Sequence, residues 1–381
     1  MDCNLAITNG QIIDPDRGAI YPADIAVTDG RVAGISRERG VFRAGQVYDA
    51  SGCYVTPALI DCHVHCYEHV SPGSLNPDRI GIGHGVGAVL DAGSFGPRNA
   101  AGFRTYVSQP ATTEVYGLVN ISRWGNSTIP GESEIIGFLN PTEVAQLIER
   151  SADWIRGVKV RASVSAVGAL GILPVRLAKQ AAREAGVPLM VHIGNAPPTL
   201  EEVCAVLTEG DVITHCFHGK LGGAIARRGT VLPAIADAVA RGVVLDIGHG
   251  SASFAWATAE RALQLGLLPH SISTDLHRGC VDDTPGKRTA VTLTSTMSKL
   301  LHLGMPLLEV VRAATTTPAR TFGLEPEFGR IAEGGLANLS VVSVVNRSEE
   351  QSDSEGQFRR VGKVVEARAV VLRGRVWEVS P

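Results

Sequence analysis

Eight short apolar runs, alternating with helical patterns and loops between residues 57 and 324, constrain the fold of this chain most strongly. We predict strands at 58–62, 87–92, 114–121, 157–161, 188–193, 212–216, 243–247 and 271–274. Near-continuous apolar strands that alternate with helices favour parallel pairing, with the helices outside. The sequence therefore predicts an α/β fold with a (β/α)8 TIM barrel, and an open doubly wound sheet is the alternative.

Several of the intervening helices carry end signals. Asn140 followed by Pro141 places a capping side chain before a first-turn proline. The helical stretches "PVRLAKQAAREAG" and "LPAIADAVARG" both stop at a glycine, Gly186 and Gly242, as expected for a residue just past a helix end. These signals support helices between the third and fourth, fourth and fifth, and sixth and seventh strands.

The two ends of the chain share a different, strand-like texture. Alternating apolar and polar residues surround Asn9-Gly10 and Asp29-Gly30, and each pair predicts a hairpin turn. Similar strands recur after Leu324, separated by "NRSEEQSDSEGQFRR", which predicts an exposed hairpin tip or loop. We predict a small β-sandwich domain formed by residues 1–56 and 325–381, flanking a barrel at 57–324.

Composition excludes several classes of function. The 381 residues carry a net charge of only −3, with no concentrated basic patch for nucleic acid or an anionic membrane. No stretch predicts a secretory signal or a membrane span. Seven cysteines, an odd number in a long chain, favour reduced thiols over a disulfide framework. We expect a cytoplasmic homo-oligomer that acts on a small molecule.

Ionisable residues gather at the predicted carboxyl ends of the barrel strands, where such folds place their chemistry. They are His63, His65, Lys159, His192, His215 and Asp275. Strand side chains alternate, so His63 and His65 are predicted to face the barrel mouth, and Cys62 the helices. One histidine at a strand end is usually a hydrogen-bonded core residue, but burying the whole set needs a counter-charge. Two divalent ions, Zn²⁺ or similar, supply it, and the Lys159 amine could bridge them after adding CO2.

The ordered set resembles the amidohydrolase superfamily, in its binuclear branch with a carboxylated lysine. The segments "DAGS", "KVRAS", "THCFHG", "DIGHGSASF" and "STDLH" resemble its deacetylase-like, dihydroorotase-related subgroup. The resemblance implies that the more buried metal is bound by His63, His65 and Asp275, the more exposed one by His192 and His215, and that carboxylated Lys159 bridges the two.

The same resemblance implies hydrolysis of an amide or ester through a metal-bridging hydroxide, with Asp275 as general base and then general acid. Dihydroorotases usually carry an arginine two residues after the second histidine of His-x-His, and Tyr67 occupies that place here. We therefore predict a deacetylase-type hydrolase. The alternatives are a cyclic amidohydrolase of the hydantoinase or dihydroorotase type, and a non-catalytic barrel that serves as a scaffold.

Further cationic residues near the predicted barrel mouth indicate that the substrate carries a negative charge. Arg161 shares a strand face with Lys159, and Arg123 and Arg278 follow the third and eighth strands. A guanidinium pairs well with a carboxylate, so we predict a small N-acyl amino acid or O-acyl hydroxy acid as substrate. His218 and His249, on mouth loops, are candidates to donate hydrogen bonds to its carbonyl; solvated loop positions are the alternative.

Overall fold

The structure, a computed structural model, describes residues 1–128, 132–281 and 292–379. The first strands are β1 (Asp2–Thr8), β2 (Gln11–Asp14), β3 (Ala19–Pro22), β4 (Asp24–Thr28), β5 (Arg31–Ser36), β6 (Arg43–Asp49) and β7 (Tyr54–Pro57). The barrel strands are β8 (Leu59–Val64), β9 (Val86–Ala92), β10 (Glu114–Asn120), β11 (Ile155–Ala162), β12 (Leu189–Ile193), β13 (Val212–Thr214) and β14 (Val244–Asp246). The last strands are β15 (Leu339–Ser352), β16 (Phe358–Leu372) and β17 (Arg375–Glu378).

Helices lie mainly between the barrel strands and after them. Their bounds are α1 (Pro77–Ile80), α2 (Ala100–Phe103), α3 (Pro141–Glu149), α4 (Val164–Val167), α5 (Leu173–Ala185), α6 (Leu200–Val206), α7 (Pro233–Ala240), α8 (Trp256–Gln264), α9 (Leu293–His302), α10 (Leu307–Ala313) and α11 (Thr316–Thr321). The predicted ends are confirmed at α3, where the Asn140 side chain accepts from the Glu143 amide, and at α5, where Gly186 has φ 67°. None of the described helices has the length and apolar character that crossing a membrane requires.

Strands β8 to β14 form one parallel sheet in chain order, and the segment after residue 270 closes it into a barrel. The predicted eighth strand is present only as isolated bridges, from Ser271 to Asp246 and from Leu276 to Val64. The amides of Asp275 and His65 complete the closure by donating to the carbonyls of His63 and Leu276. The barrel prediction is confirmed, and the open sheet is ruled out because both edges are joined.

A register shift in β8 changes which side chains enter the barrel. The pairing with β9 slips between Asp61 and Val64, so two residues on β8 oppose one on β9. Cys62 therefore packs with Ile60 and Met190 in the cluster enclosed by the strands, and the expectation that it faces the helices is wrong. The same irregularity lets His63, the next residue, also turn inward.

The terminal segments build two packed sheets beside the barrel. Their strand orders are β5-β4-β1-β6 and β17-β16-β15-β7-β2-β3, so the second sheet joins both ends of the chain. Apolar residues from both sheets fill the space between them, including Leu5, Ile25, Val55, Leu339 and Val371. The predicted β-sandwich of both termini is thus present, while the domain boundaries at 56 and 325 stay a prediction.

Three local expectations in these segments differ in outcome. Asp29-Gly30 forms the predicted two-residue turn between the paired strands β4 and β5, and both residues have positive φ. Asn9-Gly10 is not a hairpin turn, because β1 and β2 belong to different sheets. The polar segment between β15 and β16 forms the predicted hairpin, with residues 355–357 exposed at its tip, but residues 351–353 next to the tip are buried.

Candidate metal centre

One carboxylate oxygen gathers two imidazoles at the mouth of the barrel. Oδ1 of Asp275 lies 3.3 Å from Nε2 of His63 and 3.2 Å from Nε2 of His65. One ligand-type atom from each of these three residues falls within 4.8 Å of the others. Asp275 has φ 51°, an uncommon conformation for a residue other than glycine, and it aims the carboxylate at the histidines.

Buried side chains fix how these two imidazoles are presented. The Thr214 hydroxyl donates to Asp246, so it accepts from Nδ1–H of His63 at 2.9 Å and leaves Nε2 of His63 with a free lone pair. Nδ1 of His65 lies 2.9 Å from Oγ of Ser94, which turns its Nε2 toward Asp275. Both rings are therefore oriented as they would be in a histidine that binds a metal.

A second pair of imidazoles lies on the other side of Asp275. Nδ1–H of His215 donates to the Gly248 carbonyl at 2.5 Å, and its Nε2 lies 2.8 Å from Nδ1 of His192. The same Nε2 is 4.0 Å from Oδ2 of Asp275, which joins the two groups of ligands. Burial lowers the pKa of His215 to about 3 and the pKa of His63 and His192 well below the ordinary value. These rings are neutral at pH 7, the form that binds metal ions.

Lys159 completes the group from β11. Its side chain is 1% exposed, and its Nζ lies 2.8 Å from Nε2 of His63. Within the described residues no carboxylate forms an ion pair with it, and burial lowers its pKa to about 8. Gly93 lies against the lysine stem, where a Cβ would come within 2.9 Å of Cγ. A buried ammonium without an ion pair is costly, and the lowered pKa makes the neutral amine of Lys159 accessible close to neutral pH.

The donor set fits divalent cations. The Nε2 atoms of His63 and His65 converge on the Asp275 carboxylate at 3.2–3.3 Å, and the lone pair on Nε2 of His63 is repelled by this carboxylate unless a cation lies between them. Neutral imidazoles with a carboxylate are ligands that Zn²⁺ and similar ions prefer. The structure thus brings together all six residues predicted to bind metal, and His192 and His215 offer a second set of nitrogens beside the first.

A cavity of about 310 Å³ opens above this group. Among the residues predicted to contact substrate, Arg161 lines it, and its guanidinium pairs at 2.9 Å with the buried Glu132 carboxylate. Other polar side chains on its wall are Asn126, Ser163, Ser165, Asn195, Lys220, Ser251, Ser253 and His277. The wall is therefore polar and carries more cationic than anionic groups.

The other four predicted substrate contacts lie outside the wall of this cavity. Arg123 pairs with Glu143 at the start of α3, and Arg278 is exposed. His218 is buried and accepts from the Lys220 amide. His249 is buried and stacks on a phenylalanine ring. None of these four residues lines the cavity, so their contact with a substrate stays a prediction.

None of the eight other polar side chains on the wall was predicted from the sequence, and two of them, Lys220 and His277, can carry a positive charge. Lys220 follows "THCFHG" directly and is half-buried on the wall, and His277 follows Asp275 by two residues. His277 donates from Nδ1 to the Asp275 carbonyl and contacts the Ser251 hydroxyl with Nε2. Their closeness in sequence to His215 and Asp275 was the available signal. The alternation rule gives no side-chain direction in the loops that follow a strand.

Known proteins resemble this chain along nearly its whole length. Residues 54–376 match the amidohydrolase family. A protein named deacetylase from Enterococcus faecalis is 34% identical over 99% of this chain and 100% of its own. A deacetylase from Agrobacterium fabrum is 35% identical over 97% and 90%.

Solved structures agree with these matches. One described as an adenine deaminase superposes with a TM-score of 0.92 at 34% identity, covering 99% of this chain and 100% of that one. Another, described as a dihydroorotase, gives 0.89 at 33%, covering 99% and 98%. The chain belongs to the amidohydrolase family, near its deacetylase-like members, and is a hydrolase.

Proposed function

We propose that this protein is a metal-dependent deacylase that removes a small acyl group from an N-acyl amino acid or O-acyl hydroxy acid bearing a free carboxylate. The observation that carries the proposal is the cavity above the histidine and aspartate group, which combines a hydrolytic centre with a cationic wall. His63, His65 and Asp275 would hold one ion, His192 and His215 a second, and Lys159, carboxylated by CO2, would bridge them. Bound there, divalent ions would polarise the scissile carbonyl and lower the pKa of a water.

The surroundings of Asp275 support a role for it in proton transfer. Its Oδ1 faces two imidazoles and its Oδ2 lies at the cavity wall beside Gly250, whose lack of a Cβ leaves room for it. We propose that Asp275 accepts the proton of the attacking water and delivers it to the leaving nitrogen or oxygen. Burial lowers the pKa of His63, His192 and His215, so these three imidazoles stay neutral and do not compete for that proton.

Lys220 is the best placed cation for the substrate carboxylate. The charge of Arg161 is already balanced by Glu132, whereas no carboxylate lies within ion-pair distance of Lys220 in the described residues. Burial lowers the pKa of Lys220, so its ammonium gains from an anion that enters the cavity. Hydroxyl groups of Ser163 and Ser165 line the same space and offer further hydrogen bonds.

A cyclic amidohydrolase is the second candidate, because a solved relative at 33% identity is described as a dihydroorotase. Two observations favour the deacylase. Among the relatives matched by sequence, those named deacetylase match 97% and 99% of this chain and a dihydroorotase from Solibacter usitatus matches 49%, although the solved structure described as a dihydroorotase matches 99%. Tyr67, at the place of the expected arginine, donates its hydroxyl to the Asn99 carbonyl and packs edge-on against Phe103, away from the cavity.

A substrate screen tests the proposal. Acetylated and formylated D- and L-amino and hydroxy acids, their neutral amides and esters, dihydroorotate, hydantoins and adenine are assayed with Zn²⁺ or Mn²⁺ and bicarbonate. We expect turnover of open-chain acylated acids above their neutral analogues. Equal turnover of the neutral analogues would remove the carboxylate requirement, and selective ring opening would establish the cyclic amidohydrolase.

Removing the metal ions is expected to abolish hydrolysis and to lower the melting temperature by several degrees, because a ligand that binds only the folded chain stabilises it. The measurements are metal content per chain, activity and thermal unfolding after dialysis against a chelator. Adding Zn²⁺ or Mn²⁺ back with bicarbonate should restore all three. Full activity in a chain that holds less than about one tenth of an ion would contradict a metal-dependent reaction.

Lys220→Met is expected to lower kcat/KM for a carboxylated substrate by about 10- to 100-fold, mainly through KM, because it removes one charge-assisted contact. Steady-state kinetics on the carboxylated substrate and its methyl ester measure the effect, which should be small for the ester. Lys363→Met, at an exposed position of β16, is the matched control. An equal loss on acid and ester would show that Lys220 does not bind the carboxylate.

A further inference from the structure

The turn after β14 forms one wall of the cavity and is held from two sides. Ser251, Ala252 and Ser253 face the cavity. On the barrel side, the amides of His249 and Gly250 donate to the carbonyls of Ser273 and Thr274, next to Asp275. The turn therefore links the cavity wall with the strand end that carries the catalytic carboxylate.

The other side of the turn is held by the tip of the hairpin formed by β15 and β16. Oδ2 of Asp353 accepts from the Trp256 amide at 3.0 Å, and Oδ1 accepts from the amides of Glu355 and Gln357. The Ser354 hydroxyl accepts from the Phe254 amide and donates to the Phe254 carbonyl. These bonds attach the hairpin tip to the backbone directly after the cavity wall.

A buried lysine connects the turn, the hairpin and helix α9. The Lys299 side chain is 2% exposed, and its Nζ lies 2.8 Å from Nε2 of His249 and 2.6 Å from the Ser352 carbonyl. His249 donates from Nδ1 to the Gly250 carbonyl, so its Nε2 accepts from the ammonium. Nζ of Lys299 also lies 5.7 Å from the centres of the Phe254 and Trp256 rings, which attract the protonated form of the amine.

The hairpin tip also reaches the neighbouring loop. The Glu355 carboxylate packs against Gly219, where the lack of a Cβ leaves room for it. Gly219 directly precedes Lys220, the cation proposed above to bind the substrate carboxylate. The C-terminal hairpin thus contacts two loops that supply cavity residues, although its own residues do not line the cavity.

We infer that the tip of the C-terminal hairpin, with Lys299, positions the cavity-wall turn at residues 251–253 and thereby sets the affinity for substrate. Asp353 and Lys299 are positioning residues in the reaction, since neither touches the cavity. The inference deepens the proposed function and rests on it for the substrate, while the position of the turn can be measured without one.

Asp353→Asn in the metal-loaded full chain tests the inference. The amide keeps the shape of the carboxylate but loses an acceptor. We expect KM to rise about tenfold and kcat to change by less than about threefold, since the residues proposed to bind metal are not displaced. Hydrogen exchange at the His249 and Gly250 amides, which do not bond to the tip, should become faster because the whole turn is less restrained.

Glu350→Gln, an exposed position on the same hairpin, is the matched control and should leave KM and exchange unchanged. Lys299→Met removes the connection at the other end of the turn and should also speed exchange at Gly250. If Asp353→Asn fails to fold, Ser354→Ala carries the same test, because it removes only the hydroxyl contacts with Phe254.

The outcomes separate this inference from the proposed function. Unchanged KM together with unchanged exchange at His249 and Gly250 would overturn the positioning role. A fall in thermal stability and active fraction without a change in KM or in these amides would also overturn it. A screen that finds no carboxylated substrate would overturn the proposed function alone, because the exchange measurement still decides whether the hairpin positions the turn.

Discussion

Asp275→Asn is expected to lower kcat by about 10³-fold, because proton transfer by a positioned carboxylate contributes about 10²- to 10⁴-fold to such reactions. The amide keeps an oxygen that can face His63 and His65 but cannot accept the proton of the attacking water. KM should change little, since Asp275 is not proposed to bind the substrate carboxylate. Steady-state kinetics and metal analysis at saturating Zn²⁺ measure both effects.

Asp237→Asn, on the exposed face of α7, is the control for a carboxylate-to-amide change elsewhere on the barrel. Retained metal with the loss of kcat would assign proton transfer to Asp275. A variant that hydrolyses substrate at close to the wild-type rate would remove Asp275 from that role and leave it only a predicted metal ligand.

Lys159→Met is expected to lower kcat/KM by about 10³-fold or more. The chain would lose the group proposed to bridge two ions, and the loss of carbonyl polarisation by these ions would raise the activation free energy by several kcal/mol. Methionine fills the same buried space beside Gly93 without the amine. Metal content should fall from about two ions per chain to one or fewer. Metal analysis and kinetics in the presence of bicarbonate measure the change.

A separate measurement tests the CO2 adduct itself. Wild-type protein loaded with metal in CO2-depleted buffer should recover activity slowly, and bicarbonate should speed the recovery. Lys363→Met controls for loss of a lysine without loss of the site. Two tightly held ions in Lys159→Met, or loading that is indifferent to bicarbonate, would rule out a bridging carbamate.

Much of the barrel follows from the sequence because short apolar runs report burial on both faces of a parallel sheet. The pairing of β8 with β9 could not be predicted from the sequence. The alternation of side chains assumes that each residue on one strand opposes one residue on the next, and the register shift between Asp61 and Val64 breaks this rule. His63 and Cys62 both turn inward for this reason. His63 therefore faces the barrel mouth because of the register shift, and not because of the regular alternation on which the expectation was based.

The substrate side was less accessible to sequence reasoning. Arg123 and Arg278 follow strand ends, but a loop residue directs its side chain by local backbone and partners, and Arg123 has Glu143 as a partner. The polar composition of the segment between β15 and β16 predicted exposure, but residues 351–353 within it are buried. Asp353 and Ser354 belong to a polar segment, yet they are polar because they satisfy backbone groups of another loop. The residues alone do not distinguish an exposed polar loop from a polar segment that hydrogen-bonds to the backbone of another loop.

The barrel closure has a practical consequence. Seven neighbouring strands are joined by hydrogen-bonded ladders, but the closing segment is joined only by isolated bridges at Ser271 and Leu276, and Asp275 lies between them. Ions held between Asp275 and the two histidines His63 and His65 would link the two sides of this closure. Shelf life and tolerance of heat should then follow the supply of trace metal during purification, and chelating buffers should shorten the useful lifetime of a preparation before any strand ladder is lost.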